Sequence, residues 1–434
     1  MRIRPPFNDI NSLWQATAVE RPQFSTVAGG DQYDVAIIGG GYTGLSTARY
    51  LARKGLSVIV LEASRIGWGA SGRNGGVVSA KFRLAYRDIA NRFGIDVARR
   101  MHNISIEAVE HVGEMVSDYS IEGANYHATG SLRCAHNQVS FDAIKAECAW
   151  LNEALGDTAC SMQSAEQVAY ETGSDDFFGG MLNTHGGVIH PLNFVLGLAR
   201  GVQSDGISIC ENTPVMSINR QSNIVIVETQ NAAIRAKTVV IATNSYSDLT
   251  GATTPVKKTI IPFRSAMIAT QQLTGTAGEK LLKNGRSYTE TRRMMRWFRK
   301  SGDRLIYGGR GAFGKTDSEA AFAALQKAMV KQFPELQSVQ VTHRWSGLVA
   351  MTLDSLPHVG RLNDRIIYAL GYNGTGVAMS SYIGKHLAEI VTGNRVDLGL
   401  LTQLPLTQIP FYGLHAPAVR MVAGWYQFLD AIGR

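Results

Sequence analysis

The clearest pattern of hydrophobic and polar positions lies between residues 34 and 64. Residues 35–38 form a short apolar run that leads into glycines, after which Leu45, Ala48 and Leu51 recur at helical spacing. A second apolar run covers residues 58–61. This order predicts a strand, a helix and a second strand, which together make a βαβ unit.

The rest of the pattern alternates between two kinds of segment. Residues 84–155 are mainly helical in spacing, with a strand-like stretch at 126–135, and residues 257–340 hold further strands and a helix. Strand patterns that suit the βαβ unit return between and after these segments, the last at 366–370. We therefore expect α/β architecture with two interleaved domains and an extension. The first domain comprises 31–83, 185–256 and 341–395, the second comprises 84–184 and 257–340, and the extension is 396–434.

The extension carries an apolar stripe at helical spacing. Its members are Val419, Val422, Trp425, Tyr426 and Leu429. A helix with one apolar face docks on protein or lies on a membrane surface. We expect a docking helix or a subunit interface, with contact to a membrane surface as the alternative.

Composition indicates a large folded core. Of the 434 residues, 45% are hydrophobic, 18% are charged and 45 are glycine, which excludes disorder as the main character and favours many tight turns. The N-terminus lacks the pattern of a secretory signal, and no apolar run has the length of a membrane span. We expect a soluble, cytoplasmic protein.

Charge and cysteine spacing exclude further classes. The net charge is +8, but basic residues cluster only at 292–300, where they alternate with Trp297 and Phe298 as on a strand with one solvent-facing side. A nucleic-acid surface needs a continuous basic face, so we expect no nucleic-acid partner. The four cysteines, at 134, 148, 160 and 210, have no C-x-x-C spacing, and we expect neither a metal site nor a disulfide framework.

The glycines after the first strand carry the first chemical signal. Gly39, Gly41 and Gly44 match G-x-G-x-x-G between a strand and a helix, which is the setting in which a helix N-terminus binds a pyrophosphate. Glu62 ends the second strand, where a carboxylate accepts hydrogen bonds from ribose hydroxyls and repels a 2′-phosphate. These residues predict a dinucleotide site that does not favour NADP.

Two more segments extend this site. The loop RIGWGASGRNGG, residues 65–76, can wrap a diphosphate with its backbone N–H groups while Arg73 supplies charge. A second glycine-rich turn, at 371–376, opens another helix after the last strand. Two such helix N-termini can hold both ends of a long dinucleotide, which points to FAD rather than NAD. Thr243 and Asn244, after a buried strand, are expected to pass close to a ribityl or adenine group.

These motifs resemble the family of FAD-dependent amine and amino-acid oxidases that includes D-amino acid oxidase, sarcosine oxidase and glycine oxidase. The likeness spans residue 34 to about residue 393, and residues 37–76 most closely resemble the bacterial γ-glutamylputrescine oxidase group. It implies a Rossmann-type FAD-binding domain interleaved with an α+β substrate domain built on an antiparallel sheet.

The motifs and the resemblance together assign FAD contacts. The first glycines and Glu62 would hold the ADP half, residues 70–76 the diphosphate and flavin edge, Val215 the adenine through its backbone, and residues 371–377 the pyrimidine carbonyl. The full set is Gly39, Gly41, Thr43, Gly44, Glu62, Ala63, Ala70, Ser71, Arg73, Asn74, Gly75, Gly76, Val215, Thr243, Gly371, Gly374, Thr375, Gly376 and Val377.

Two departures from the family pattern narrow the expected flavin attachment and the expected substrate. Sarcosine-oxidase-type members carry a carboxylate-binding lysine where this chain has Ala378, and they attach the flavin through a cysteine in the region matching 346–352, where this chain has none. We therefore expect non-covalent FAD, and we do not expect a small α-amino acid to be held as in sarcosine oxidase.

The resemblance implies oxidation of a C–N bond in a secondary or polyamine-derived amine, such as γ-glutamylputrescine. The imine would hydrolyse to an aldehyde and an amine, and O₂ would be reduced to H₂O₂. We expect Trp345 and Tyr372 to wall the substrate pocket, and His343, Arg344 or Arg310 to bind a distal carboxylate, although core packing and ion pairing explain these residues equally well. No catalytic base is assignable, and the sequence leaves the oligomeric state open.

Two other functions stay open at this point. The first is an FAD-dependent dehydrogenase or oxidase of an imino or amino acid such as pipecolate, proline or sarcosine, which passes electrons to a quinone or carrier. The second is a non-catalytic flavoprotein or an RNA-modifying enzyme on the same fold.

Overall fold

A computed structural model describes residues 11–27, 29–30, 32–312, 318–414, 417, 421 and 424–425, except for the side chains of residues 276, 277 and 310–312. The helices are α1 (Leu13–Ala16), α2 (Tyr42–Ala52), α3 (Tyr86–Phe93), α4 (Ile95–Asp118), α5 (Gln138–Trp150), α6 (Ala165–Thr172), α7 (Pro191–Ser204), α8 (Thr254–Lys257), α9 (Gly275–Lys280), α10 (Glu319–Gln332), α11 (Gly376–Val391) and α12 (Leu400–Gln403). The strands are β1 (Gln32–Ile38), β2 (Val58–Leu61), β3 (Val77–Ser79), β4 (Ser131–Cys134), β5 (Cys160–Gln163), β6 (Gly180–Asn183), β7 (Gly186–Val188), β8 (Ser208–Cys210), β9 (Val215–Gln221), β10 (Ile224–Thr229), β11 (Ala233–Ile241), β12 (Ile261–Thr270), β13 (Ser287–Glu290), β14 (Arg296–Ser301), β15 (Arg304–Ala312), β16 (Val341–Met351), β17 (His358–Asn363) and β18 (Ile366–Leu370).

The first sheet is built around the βαβ unit. Strand β1 pairs in parallel with β2 and β11, and these pair in parallel with β8 and β18, in the order β17-β18-β11-β1-β2-β8. Strands β9 and β10 form an antiparallel branch on β11. The four residues of β2 are all buried, as expected for a parallel strand covered on both faces. The predicted strand–helix–strand unit is confirmed.

The second sheet is almost entirely antiparallel. Its order is β16-β12-β15-β14-β13-β4-β6-β5, and only β13 and β4 run in parallel. Helix α10 covers one face through an apolar cluster that includes Tyr288, Phe298 and Tyr307. The opposite face turns toward the first sheet and the glycine-rich turns. The expected combination of a Rossmann-type sheet with a substrate domain on an antiparallel sheet is confirmed.

One strand crosses the expected domain division. The boundary was expected at residue 341, but β16 (Val341–Met351) pairs with β12 in the second sheet along its whole length. The chain therefore enters the first sheet only at β17 and β18. The other expected boundaries stay predictions.

Residues 296–300 of the basic cluster lie in a strand as expected, but residues 292–294 lie in a turn. The expected solvent-facing side was wrong. Arg299 of β14 is buried, because its guanidinium reaches backbone carbonyl oxygens of a neighbouring loop.

A short N-terminal helix, α1, also belongs to the packed structure. Its Leu13 and Trp14 are buried in the main hydrophobic cluster with α2, α4, α7 and α11. Most of the apolar stripe expected at 419–429 falls outside the described residues, and its described member, Trp425, is exposed. In the part of the chain that the structure describes, we find no helix with the length and apolar character needed to cross a membrane.

Candidate cofactor and substrate site

The first glycine turn joins β1 to α2 with little space to spare. Gly39 has φ +109°, and a Cβ there would lie 2.8 Å from the carbonyl oxygen of Ala242. A Cβ on Gly44 would overlap the carbonyl oxygen of Gly39, so only glycine lets α2 sit this close to the turn. The N-cap residue of α2, Gly41, provides no side-chain cap, which leaves the helix N-terminus available to an anion.

Glu62 closes the far side of this turn. One carboxylate oxygen accepts a hydrogen bond from the Gly40 N–H and the other from the Ser64 N–H, each at 2.9 Å. Burial raises the pKa of Glu62 above that of an ordinary glutamate, and the two N–H donors oppose that rise. Each oxygen keeps a lone pair that can accept a further hydrogen bond from a ligand.

The second glycine-rich turn meets the first directly. The hydroxyl of Tyr372 lies 2.6 Å from the hydroxyl of Thr43 on α2. Gly371 has φ +78° and Gly374 has φ +96°, and the Gly371 N–H donates to the side chain of Asn244. The turn opens α11, whose N-cap residue Thr375 provides no side-chain cap. Two uncapped helix N-termini therefore lie side by side.

Small residues allow these two helices to approach. Ser46 of α2 donates a hydrogen bond to the backbone carbonyl of Ser381 in α11 at 2.6 Å. A Cβ on Gly384 would lie only 2.6 Å from the Cβ of Ser46. Because the helices touch at these positions, the two turns are held at a fixed separation.

The glycine-rich loop at 65–76 packs over α2 and is tied to it. Ser71 accepts a hydrogen bond from the Tyr42 N–H, and the amide of Asn74 donates to the carbonyl oxygens of Ala70 and Ser71. The guanidinium of Arg73 lies 4.7 Å from the ring of Trp68, and its Nε donates to the Trp68 carbonyl. Arg73, which we expected to supply charge to a diphosphate, does not line the cavity described below.

The second sheet clamps the end of this loop. Trp297 of β14 packs directly on Gly75, where no side chain would fit beneath the indole. Nη1 of Arg299 donates to the carbonyl oxygen of Gly76 at 2.5 Å and to that of Ile189 at 2.9 Å. From α1, Nε1 of Trp14 donates to the carbonyl of Asn74 at 2.8 Å. No local pattern in the sequence predicts these three contacts, since each joins distant parts of the chain.

The turns and the loop surround one large cavity of about 800 Å³. Most of the residues expected to contact FAD line it: Gly39, Gly41, Thr43, Glu62, Ala63, Ala70, Ser71, Asn74, Gly75, Val215, Thr243, Gly374, Thr375, Gly376 and Val377. Gly44, Arg73, Gly76 and Gly371 lie behind this lining.

The residues expected in the substrate pocket are dispersed. Tyr372 lines the cavity with its hydroxyl engaged by Thr43. Trp345 is fully buried below the lining, where its Nε1 donates to the Arg73 carbonyl at 3.0 Å. His343 is half-buried outside the cavity beside Thr342, and exposed Arg344 faces Glu319. Arg310 lies in β15, and its side chain is outside the described part of the structure.

A single row of residues crosses the cavity-facing side of the second sheet. Backbone pairing aligns neighbours in adjacent strands, whose side chains share a face. From β16 to β5 the row reads Trp345, Met267, Gly308, Trp297, Thr289, Arg133, Met181 and Met162. The five members Met267, Trp297, Thr289, Arg133 and Met181 line the cavity. The cavity therefore runs from the glycine-rich loop at 65–76 along this row.

A buried hydrogen-bonded pair closes the far end of the cavity. Nε2 of His102 lies 3.0 Å from a carboxylate oxygen of Asp157, whose other oxygen accepts from the Ala159 N–H. Burial acts to raise the pKa of Asp157, but the hydrogen bonds of His102 and Ala159 outweigh it and hold the pKa at about 2. The thiol of Cys160 also donates to Asp157, and burial raises its pKa.

The arrangement fits a long dinucleotide. The N-termini of α2 and α11, whose own N-cap residues provide no side-chain cap, border one cavity, and a carboxylate with spare acceptor capacity lies at the first of them. Gly75 of the loop also lines this cavity, and the indole of Trp297 occupies the place that a side chain at Gly75 would take. These are the features expected of an FAD site, with a substrate space beside the second sheet.

Comparison with known sequences identifies relatives along nearly the whole chain. Residues 34–390 match the family described as DAO: FAD dependent oxidoreductase. The chain is 32% identical to the γ-glutamylputrescine oxidoreductase of Escherichia coli strain K12 over 98% of this chain and 99% of that protein. It is 31% identical to the probable oxidoreductase OrdL of Haemophilus influenzae over 94% of each.

Solved structures share the fold at lower identity. A glycine oxidase from Geobacillus kaustophilus superimposes with a TM-score of 0.75 at 19% identity, covering 88% of this chain and 100% of that one. An L-proline dehydrogenase from P. horikoshii gives a TM-score of 0.70 at 21% identity, covering 85% of this chain and 95% of that one.

Proposed function

Because the chain belongs to the DAO family of FAD-dependent oxidoreductases, we propose that it oxidises a C–N bond of a linear, polyamine-derived amine such as γ-glutamylputrescine. The observation that carries the proposal is the cavity that runs from the two glycine turns along the face of the second sheet. The near full-length similarity to the γ-glutamylputrescine oxidoreductase of E. coli supports this choice of amine.

In this proposal the FAD is held by the residues that border the two helix N-termini. The backbone at Gly41 and Ser71 would hold the diphosphate, Glu62 would hold the ribose, and the turn at 374–377 would meet the pyrimidine edge; all of these residues line the cavity. Bound FAD supplies the acceptor for the two electrons and the hydrogen that leave the substrate carbon. We propose non-covalent binding. The one cysteine in the described cavity lining, Cys160, is a buried thiol hydrogen-bonded to Asp157 at the far end, which argues against a link through cysteine.

The side chains near the reacting end select the neutral amine. Phe263, Met267, Trp297 and Val349 all line the cavity and present apolar surface. Apolar surroundings penalise a charged ammonium, so the pKa of the bound amine falls and its nitrogen loses a proton before the carbon is oxidised. The carbon then loses a hydride equivalent, and water adds to the imine to give an aldehyde and ammonia. Desolvation thus lowers the pKa of the ammonium, and the proton that it releases passes to water.

An anaerobic titration of the purified flavoprotein tests the substrate. We expect γ-glutamylputrescine to bleach the visible flavin band, and putrescine, sarcosine, pipecolate and D-alanine to do so at far higher concentration or not at all. Bleaching by pipecolate or sarcosine alone would contradict the proposal and favour an imino-acid or amino-acid enzyme. Bleaching by none of the amines would favour a protein with a different activity.

The electron acceptor needs a separate measurement. We propose that O₂ takes the electrons and yields H₂O₂, and we expect stoichiometric oxygen uptake by pure protein with γ-glutamylputrescine. Turnover that requires an added quinone would instead identify a dehydrogenase.

A further inference from the structure

Two opposite charges lie on the cavity wall at a distance from the glycine-rich loop at 65–76. Arg133 of β4 and Glu147 of α5 both line the cavity, and Nη1 of Arg133 lies 2.7 Å from a carboxylate oxygen of Glu147. Their side chains remain 41% and 40% exposed, so both still present polar atoms to the cavity. Among the described contacts, Arg133 uses only Nη1, which leaves Nε and Nη2 to donate.

Two other charged pairs in the cavity lining are more buried. His102 and Asp157 are buried against each other. Arg292 is paired with the buried carboxylate of Glu290. Of these three ion pairs, Arg133–Glu147 is therefore the most accessible to a ligand.

The sheet fixes the distance between this pair and the loop over the flavin site. Trp297, which packs on Gly75, pairs with Thr289, and Thr289 pairs with Arg133 in the same row. Two strand spacings of about 4.8 Å separate Trp297 from Arg133, which places them about 10 Å apart. All three side chains line the cavity, so an extended ligand can follow the row.

We propose that Arg133 and Glu147 form a subsite for a zwitterionic α-amino-acid head group at the end of the amine substrate. Arg133 binds the α-carboxylate and Glu147 binds the α-ammonium. This proposal rests on the proposed function and names the part of the substrate that the cavity selects.

The length of the substrate agrees with the distance from Trp297 to Arg133 along the row. In γ-glutamylputrescine, eight bonds separate the carbon beside the terminal amine from the α-carbon of the glutamyl group. An extended chain advances about 1.1–1.2 Å per bond, the same as a polypeptide backbone, so eight bonds span about 9–10 Å. Putrescine and small amino acids are too short to reach both ends at once.

Binding of three unreactive amides tests the subsite without relying on turnover. They are γ-glutamylbutylamide, its glutaryl analogue without the α-amino group, and its 4-aminobutyryl analogue without the α-carboxylate. Each is titrated calorimetrically into FAD-loaded wild type, R133Q and E147Q. As a control, R220Q removes an exposed ion pair with Asp364 that lies outside the cavity lining.

We expect a pattern that links each variant to one charge on the ligand. R133Q should weaken the binding of γ-glutamylbutylamide and of the glutaryl analogue by about 10- to 100-fold and leave the binding of the 4-aminobutyryl analogue little changed. E147Q should weaken the binding of γ-glutamylbutylamide and of the 4-aminobutyryl analogue and leave the binding of the glutaryl analogue little changed. R220Q should match wild type throughout.

Other patterns overturn the subsite. These are an equal loss of affinity for all three amides, no loss of affinity in either variant, or no binding of γ-glutamylbutylamide to wild type. A different result would contradict the proposed function. In that result the amides bind in the expected pattern, but γ-glutamylputrescine leaves the flavin oxidised under anaerobic conditions. If γ-glutamylputrescine is oxidised but R133Q and E147Q bind like wild type, only the subsite is wrong.

Discussion

The hydroxyl groups of Thr43 and Tyr372 lie 2.6 Å apart, and this contact joins the two glycine-rich turns of the cofactor site. Thr43 lies in the first turn of α2 and Tyr372 precedes α11, so the hydrogen bond fixes one helix N-terminus against the other. A dinucleotide that spans both N-termini depends on that separation.

Removing this hydrogen bond should loosen the cofactor. Y372F keeps the ring and deletes the hydroxyl, which should lower the free energy of unfolding by about 1 kcal/mol and weaken FAD about fivefold. Titration of the apoprotein with FAD measures the second effect. Y170F, which alters an exposed tyrosine, is the control. Unchanged FAD affinity in Y372F would show that packing alone sets the separation.

Gly44 should tolerate no side chain. In G44A the new Cβ would overlap the carbonyl oxygen of Gly39, so α2 must move away from the turn. We expect protein that purifies without FAD and is less stable by about 3 kcal/mol. G251A adds the same methyl group where nothing lies within 4 Å and should behave as wild type. Flavin content after purification, with a thermal melt, distinguishes the two variants.

Arg299 should matter for flavin retention although it does not line the cavity. R299M leaves the carbonyl oxygens of Gly76 and Ile189 without their donor in a buried region. We expect a loss of about 3 kcal/mol in unfolding free energy and at least tenfold weaker FAD. R220M, at an exposed arginine, serves as control. An R299M protein with wild-type flavin affinity would mean that Trp14 and Trp297 hold the loop without help.

Asp157 should contribute stability that depends on pH. Its folded pKa of about 2 lies below the ordinary value of 3.8, so the stabilisation is complete above pH 4 and is lost as the pH falls toward 2. D157N should therefore be less stable than wild type by about 2 kcal/mol at neutral pH. The difference should shrink between pH 4 and pH 2 in urea unfolding curves. D175N, at an exposed aspartate, should show no such convergence.

The sequence was sufficient where the information is local. The unit β1–α2–β2 could be predicted because glycine spacing and apolar runs lie within about 30 residues of each other. The contact between Trp297 and Gly75 could not, because it depends on which strand of the second sheet reaches the loop. Arg299 was expected on a solvent-facing side for a similar reason, since strand alternation says nothing about what covers each face.

The residues expected in the substrate pocket also show that local sequence information is not sufficient. Trp345 was chosen for its position near a flavin-facing motif, and it does share a row with Met267 and Trp297. The loop that carries Arg73 lies over Trp345. The indole N–H of Trp345 therefore donates to that loop, and the indole does not line the cavity. Arg133 and Glu147, which do line the cavity, come from a segment with no motif of its own.

The order in which the chain is synthesised has a consequence for cofactor loading. Thr43 emerges early, but its partner Tyr372 follows 329 positions later. At about 5–20 residues per second, translation takes roughly 16–66 s to cover that interval. During this time the nascent chain holds the first glycine-rich turn without the second. In the proposed site, flavin capture therefore belongs to the last stage of synthesis, after the strand Ile366–Leu370 has joined the first sheet.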